Sequence, residues 1–86
     1  MPYFHFQVRT ESHVLLTEGA ELKGFDEARI EAACRVGGLL KEHAAEIWTD
    51  EDWRLDVTDE KGLILFVLQV FASKSAATAS AKSVES

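Results

Sequence analysis

The chain has 86 residues, of which 47% are hydrophobic, and this fits one small globular domain. A domain of this size buries only about 60% of the surface that its unfolded chain exposes, so oligomerisation is expected to add to its stability. The net charge of −6 opposes general binding to phosphate backbones. The single cysteine, Cys34, excludes an intrachain disulfide and a zinc site built on several thiolates, and it favours a reducing compartment.

The sequence predicts neither a targeting segment nor a membrane span. Residues 1–6 contain no basic region and no long apolar run, so they do not resemble a secretory signal. The longest apolar run, residues 63–68, is far shorter than the roughly 20 residues that cross a bilayer. A soluble, cytoplasmic protein is therefore expected.

The first element is predicted to be a strand over residues 3–9, because apolar and polar residues alternate there. Phe4, Phe6 and Val8 share one face and are expected to point into the core. A polar connection follows, and residues 14–17 predict a short second strand. The two strands are expected to pair as a hairpin.

A helix is predicted from Phe25 to about Glu46, a length of about 33 Å at ~1.5 Å per residue. Gly24 is an acceptable N-cap, and acidic residues in the first turn suit the positive end of the helix dipole. The residues that recur at steps of three and four on one face are Phe25, Ala28, Ala32, Val36, Leu39 and Leu40. The Gly37-Gly38 pair has two interpretations: a neutral surface position, or close backbone contact with a neighbour.

An acidic connector at residues 48–52 leads into a second predicted hairpin, over residues 53–68. In its first strand Trp53, Leu55 and Val57 alternate with polar residues. Its second strand is apolar on both faces. The turn between them is expected to be a three-residue loop with a bulge.

Two residues carry the prediction of this turn. Asp59 suits the first position of a type I turn, and Gly62 supplies the positive φ that the bulge requires. The order of elements is therefore strand, strand, helix, strand, strand. It predicts an α+β fold with a single antiparallel sheet and one long helix packed on one face.

The domain is expected to cover residues 1–71. Residues 72–86 contain almost only Ala, Ser, Thr and Lys, with Val84 as the one sizeable apolar residue. Such a segment cannot bury enough surface to offset the entropy lost on ordering, so a disordered tail is predicted.

These patterns together resemble a known family. The matching features are the start YFHF, the EGAEL step before the helix, the Ala- and Arg-rich helix, and the hairpin sequence WRLDVTDEKG with the apolar strand after it. The chain resembles a family of short alphaproteobacterial proteins, common in rhizobia, that is known only as a domain of unknown function. The resemblance covers residues 1–71 and implies a fold and a bacterial cytoplasmic setting, but no activity.

The chemistry-bearing side chains are expected in structural or solvent-exposed positions. His5 is expected on a polar sheet face, His13 in a solvated loop, and His43 at a frayed helix end or as a partly buried, hydrogen-bonded core residue. Cys34 is expected to be at least half exposed and to lack a base that would lower its pKa. The acidic residues at 50–52 and in the second hairpin lack the ligand pattern of a calcium loop. No catalytic, cofactor-binding or metal-binding residue is predicted.

The main functional hypothesis is a non-enzymatic interaction module that acts as a homodimer. One helix covers only one face of a small sheet, so the second apolar face of the last strand needs a partner. The predicted interface residues are Ile64, Phe66, Leu68 and Val70, which are expected to share one face of that strand. The alternative is that this strand lies centrally and that Ile47 and Trp48 in the connector cover its second face.

A second hypothesis comes from fold analogy alone. Strand-strand-helix-strand-strand orders occur in antitoxins and in folds that bind double-stranded RNA, and this analogy gives an antitoxin-like or nucleic-acid-associated regulator as the alternative function. The basic residues are scattered rather than clustered, which makes direct nucleic-acid binding the weaker of the two hypotheses. An acidic antitoxin could bind a basic toxin instead.

Overall fold

The computed structural model describes residues 2–77 of the chain. It confirms the predicted α+β class with one antiparallel sheet of four strands. It also shows two helices between the hairpins where one was predicted. The elements are β1 (Tyr3–Arg9), β2 (Val14–Glu21), α1 (Phe25–Glu42), α2 (Ala44–Asp50), β3 (Asp52–Thr58) and β4 (Ile64–Phe71).

The strands are arranged in the order β2-β1-β3-β4, so β1 and β3 are central and β2 and β4 form the two edges. The predicted alternation of β1 is confirmed, because Phe4, Phe6 and Val8 are all buried. The second strand is twice as long as predicted. It continues to Glu21, which pairs with Tyr3, so β2 runs beside the full length of β1.

Gly19 explains how β2 passes beneath an aromatic ring. An added Cβ at Gly19 would lie 2.4 Å from Oη of Tyr3, too close for any side chain unless the ring moved. Glycine is therefore the residue that lets the Tyr3 ring lie across the neighbouring strand. The same ring meets His5 edge-on, with 5.0 Å between centroids.

The β3–β4 hairpin has the predicted turn. The N–H of Gly62 donates to the carbonyl of Asp59 at 3.1 Å, and the N–H of Asp59 donates to the carbonyl of Leu63 at 3.0 Å. Gly62 has a φ of 88°, the left-handed conformation that the loop was expected to need. The side chain of Asp59 also accepts bonds from the N–H groups of Lys61 and Leu63, which fixes the loop.

The prediction of one continuous helix to Glu46 is wrong, and so is the connector assigned to residues 48–52. The chain turns at His43, where φ is −121° and ψ is 43°, and a short second helix begins at Ala44. The turn lets α2 contact both α1 and β3. It returns Ile47 to the core, where it is buried.

The core lies between α1 and one face of the sheet. Small side chains, Ala28 and Ala32, occupy the closest approach of the helix and are almost fully buried. The remaining buried apolar residues are Phe4, Phe6, Val8, Val36, Leu39, Ile47, Trp53, Leu55 and Val57. No described atom outside the local helix backbone lies within 4 Å of a Cβ added at Gly37 or Gly38, which favours the neutral-surface interpretation of that pair.

The predicted tail of residues 72–86 lies largely outside the described residues. Ala72 donates its N–H to the carbonyl of Glu51 at 3.0 Å and packs against the core. Contacts with the domain therefore continue past the end of β4.

Candidate functional site

The candidate site is the edge of the sheet formed by β4. Within the described chain β4 pairs with β3 alone, so its other side carries no strand. The alternative prediction, that the last strand lies centrally and is covered by Ile47 and Trp48, is wrong. Ile47 is buried in α2 and Trp48 is exposed.

A bulge divides the predicted interface residues between the two faces of the sheet. Val57 pairs with Phe66, but its neighbour Thr58 pairs with Ile64, so β4 holds one extra residue, Leu65. Because paired residues share a face, Phe66, Leu68 and Val70 lie on the helix side, opposite Val57, Leu55 and Trp53. Ile64 lies on the outer face, and the prediction that all four share one face is wrong for Ile64.

The four residues also differ in what they contact. Phe66 and Val70 are half-buried against the core. The Phe66 ring meets the Phe25 ring edge-on at 5.4 Å between centroids, and the guanidinium of Arg29 lies 5.1 Å from the Phe66 centroid. Leu68 and Ile64 remain exposed. Whether these residues form an interface stays a prediction.

The predicted interface residues do not include two exposed residues at this edge. Val67 is 46% exposed and Phe71 is 71% exposed, and both lie on the outer face with Ile64. Residue hydrophobicity alone cannot find them, because an apolar strand without alternation gives no sign of which face is covered. The apolar surface of β4 therefore wraps around the edge from one face to the other.

A shallow apolar groove runs between α1 and β4. Its volume is about 240 Å³, and its walls combine one side of the helix with the strand. The lining residues are Arg29, Ala32, Ala33, Val57, Phe66, Val67 and Leu68. Exposed Phe25 on the helix extends the apolar surface, because its ring meets the Phe66 ring.

The opposite edge, β2, has a different character. Glu18 and Glu21 on this strand carry charges, and Gly19 between them has no side chain. Glu18 is also bound to the Arg35 guanidinium on α1, which lies 3.0 Å from Glu31 as well and stacks over the Phe6 ring at 4.9 Å. Charged side chains on an edge strand discourage pairing with another chain, so β2 is a protected edge and β4 is not.

The outer face of the sheet carries an ion network that sequence reasoning also missed. Asp56 lies on β3 with its side chain 8% exposed, between Arg54 Nε at 2.7 Å and Arg9 at 3.5 Å. The alternation of β3 places Arg54 and Asp56 on this face, but only the pairing of β1 with β3 brings Arg9 beside them. Both guanidinium groups are thereby occupied by a carboxylate of the protein itself.

The histidines and the cysteine lie on different parts of the fold. His5 is exposed on the outer face, and His13 lies in the β1–β2 loop, where its ring is within hydrogen-bond distance of Thr10 and Ser12. His43 is partly exposed at the junction of the helices, bonds to Glu46 and is not among the core residues. Cys34 is exposed on α1.

No group of three or more His, Cys, Asp or Glu side chains in residues 2–77 is arranged to hold a metal ion. Neither helix in that part of the chain combines the length and apolar character needed to cross a membrane.

The chain matches a known protein family. The model of a family described as a domain of unknown function, DUF6894, matches residues 3–72. The matched segment begins at the first strand and ends one residue after β4, so it includes the whole sheet and both helices. No curated protein and no solved structure matches the chain.

Proposed function

We propose that this chain, which belongs to the DUF6894 family, is a non-enzymatic interaction module that acts as a homodimer through its β4 edge. The observation that supports the proposal is the contrast between the two edges of the sheet. All eight residues of β4 are uncharged and seven of them are apolar, whereas β2 carries two glutamates. A long apolar edge strand that is left unpaired is an aggregation hazard, so a native protein is expected to cover it.

A second copy is the simplest partner for this surface. The chain has a net charge of −6, so two copies repel each other over most of their surfaces. The β4 edge carries no charge and avoids that repulsion locally. A stable interface needs about 800 Å² from each partner. The exposed apolar residues of β4, together with Phe25, whose ring meets the Phe66 ring, offer apolar surface toward that area.

Substituting Val67 by lysine is expected to convert the dimer into a monomer. The Val67 side chain is half exposed on an edge strand, where a lysine is tolerated by the fold but opposes strand pairing. Light scattering at about 100 micromolar should show twice the 9.6 kDa chain mass for the wild type and the single chain mass for V67K.

The matched control for this experiment is Thr17→Lys. Thr17 is exposed near the middle of β2, the opposite edge, so T17K adds the same charge to the same kind of element and should remain a dimer. A wild type that is monomeric at this concentration would contradict the proposal. So would a dimer that is lost in T17K but kept in V67K.

The non-enzymatic part of the proposal is supported by how the reactive groups are placed. Catalysis needs groups with matched pKa values that converge in a concave site. His5, His13 and His43 lie on a strand face, in a loop and at a helix junction, and each has a hydrogen-bond or ring contact of its own. The groove beside β4 is lined by apolar residues and one arginine, which suits contact with a protein better than chemistry.

Nucleic-acid binding tighter than the weak non-specific range of about 10⁻⁴ M at physiological salt is not expected. Each of the four arginines is already paired with a carboxylate: Arg9 and Arg54 with Asp56, Arg29 with Asp26, and Arg35 with Glu18. Fluorescence anisotropy with labelled duplex DNA and RNA checks this. A micromolar, salt-dependent affinity that falls in Arg29→Gln or Arg35→Gln would support the regulator hypothesis instead.

A further inference from the structure

We propose that the dimer forms by antiparallel pairing of β4 with β4 of a second copy, with Leu68 facing Leu68 of that copy at the two-fold axis. This pairing rests on the proposed function, a homodimer formed through β4, and specifies how the two copies are arranged. The pairing would extend the four-stranded sheet into a continuous sheet of twice as many strands. Pairing through an exposed sheet edge is a common mode of protein recognition, because main-chain hydrogen bonds supply affinity wherever an edge is open.

The symmetry of such a pair restricts its register. Two antiparallel strands in one sheet are related by a two-fold axis perpendicular to the sheet, so both copies keep α1 on the same face. Directly opposed residues must then have side chains on the same face. Neighbouring residues of a strand alternate between faces, so a residue cannot oppose its own neighbour in the second copy. The two-fold axis must therefore lie at a residue that opposes the same residue of the second copy.

The bulge limits which residues can lie at the axis. Regular pairing of β4 with β3 begins after Leu65 and covers Phe66–Phe71, so the centre of that segment lies between Leu68 and Gln69. Of these two residues Leu68 is the apolar one, and it is therefore placed at the axis. In this register Phe66 opposes Val70 and Val67 opposes Gln69 of the second copy. The helix-side pairs are therefore entirely apolar, and such pairs stabilise a sheet.

The same construction on the other edge is unfavourable. The middle of β2 contains Thr17 and Glu18, and a register centred on Glu18 would place it opposite its own copy. Directly opposed like charges destabilise a strand pair. Glu18 is also engaged by Arg35, so pairing there would disturb an existing ion pair. The charge distribution thus favours a second copy at β4 and opposes one at β2.

The groove beside β4 fits this arrangement. In the dimer the two grooves would meet across the axis on the helix side, with Phe66 and Leu68 of both copies forming one apolar floor between the two α1 helices. Leu68, which is 36% exposed in the single chain, would then be covered. The groove is thus part of the dimer surface and not a separate ligand site.

Oxidative cross-linking of single-cysteine variants tests the register. In a Cys34→Ser background, Leu68→Cys should form a disulfide-linked dimer with copper phenanthroline, because cross-strand Cβ atoms at opposed positions lie about 4.5–5.5 Å apart. Non-reducing electrophoresis should show most of the protein at twice the chain mass. Thr17→Cys, at the middle of the β2 edge, is the matched control and should stay unlinked.

A second pair of variants covers the case in which L68C itself weakens the dimer. Val67→Cys and Gln69→Cys, each in the Cys34→Ser background, should cross-link when mixed far more than either does alone, because each opposes the other residue in the second copy. If light scattering shows a dimer but neither L68C nor this mixture cross-links, the β4 register is overturned while the homodimer stands. If the wild type is monomeric, the proposed function itself fails.

Discussion

Replacing Trp53 by alanine is expected to lower the free energy of unfolding by about 3–5 kcal/mol, the range for truncating a large buried aromatic residue. Trp53 is 1% exposed on the central strand β3 and is among the largest fully buried side chains. Its Nε1 donates a hydrogen bond to Asp50 Oδ2 at 3.0 Å, which joins α2 to the sheet. The substitution would leave both a cavity and an unpaired carboxylate.

The chain supplies its own control for this experiment, since its other tryptophan, Trp48, is 57% exposed on α2. Trp48→Ala should change the free energy of unfolding by no more than about 0.5 kcal/mol. Urea denaturation followed by circular dichroism measures both variants, at one fixed protein concentration because dimerisation would make stability depend on concentration. Equal losses in the two variants would contradict the burial that the structure assigns to Trp53.

The parts of the fold that could be predicted are those set by local patterns. The alternation of Phe4, Phe6 and Val8 identified the core face of β1, and Asp59 with Gly62 identified the second turn. In these segments the side-chain period and the turn chemistry depend only on neighbouring residues. The core-facing side of a strand and the type of its turn are therefore the same in any packing that buries one face of the strand.

The parts that were missed depend on distant contacts. The helix break at His43 lets α2 contact β3, and no local pattern encodes that contact. The order of the strands decides that β3 is central and β4 is an edge, and that order is set by the pairing of β1 with β3, far apart in sequence. The predicted turn places Gly62 correctly but gives no sign of the extra residue Leu65.

The candidate site shows the same division. The apolar content of the last strand predicted that one of its faces contacts a partner. The structure places that strand at the edge of the sheet. The bulge at Leu65 changes which residues of β4 share a face. The prediction did not include this bulge, so it placed Ile64 on the same face as Phe66 and Leu68. The protection of the β2 edge by Glu18 and Arg35 is a contact between a strand and a helix, and spacing along the chain does not reveal it.

The second large effect is expected at Phe6. Replacing Phe6 by alanine should cost about 3–5 kcal/mol of folding free energy, because the ring is fully buried on the central strand β1 and lies beneath the Arg35 guanidinium. Its neighbour His5 is the matched control, since it is exposed on the opposite face of the same strand. H5A should shift stability by no more than about 0.5 kcal/mol.

The same pair of variants also separates two forms of the dimer. If two copies pair edge to edge through β4, the outer face of the sheet remains in water, so H5A should change neither stability nor the mass seen by light scattering. If two copies instead stacked outer face on outer face, His5 and the Asp56 network would be buried between them, and removing the His5 ring would weaken the dimer. Insensitivity of both measurements to H5A, together with a large loss in F6A, is therefore the result that the edge-paired dimer requires.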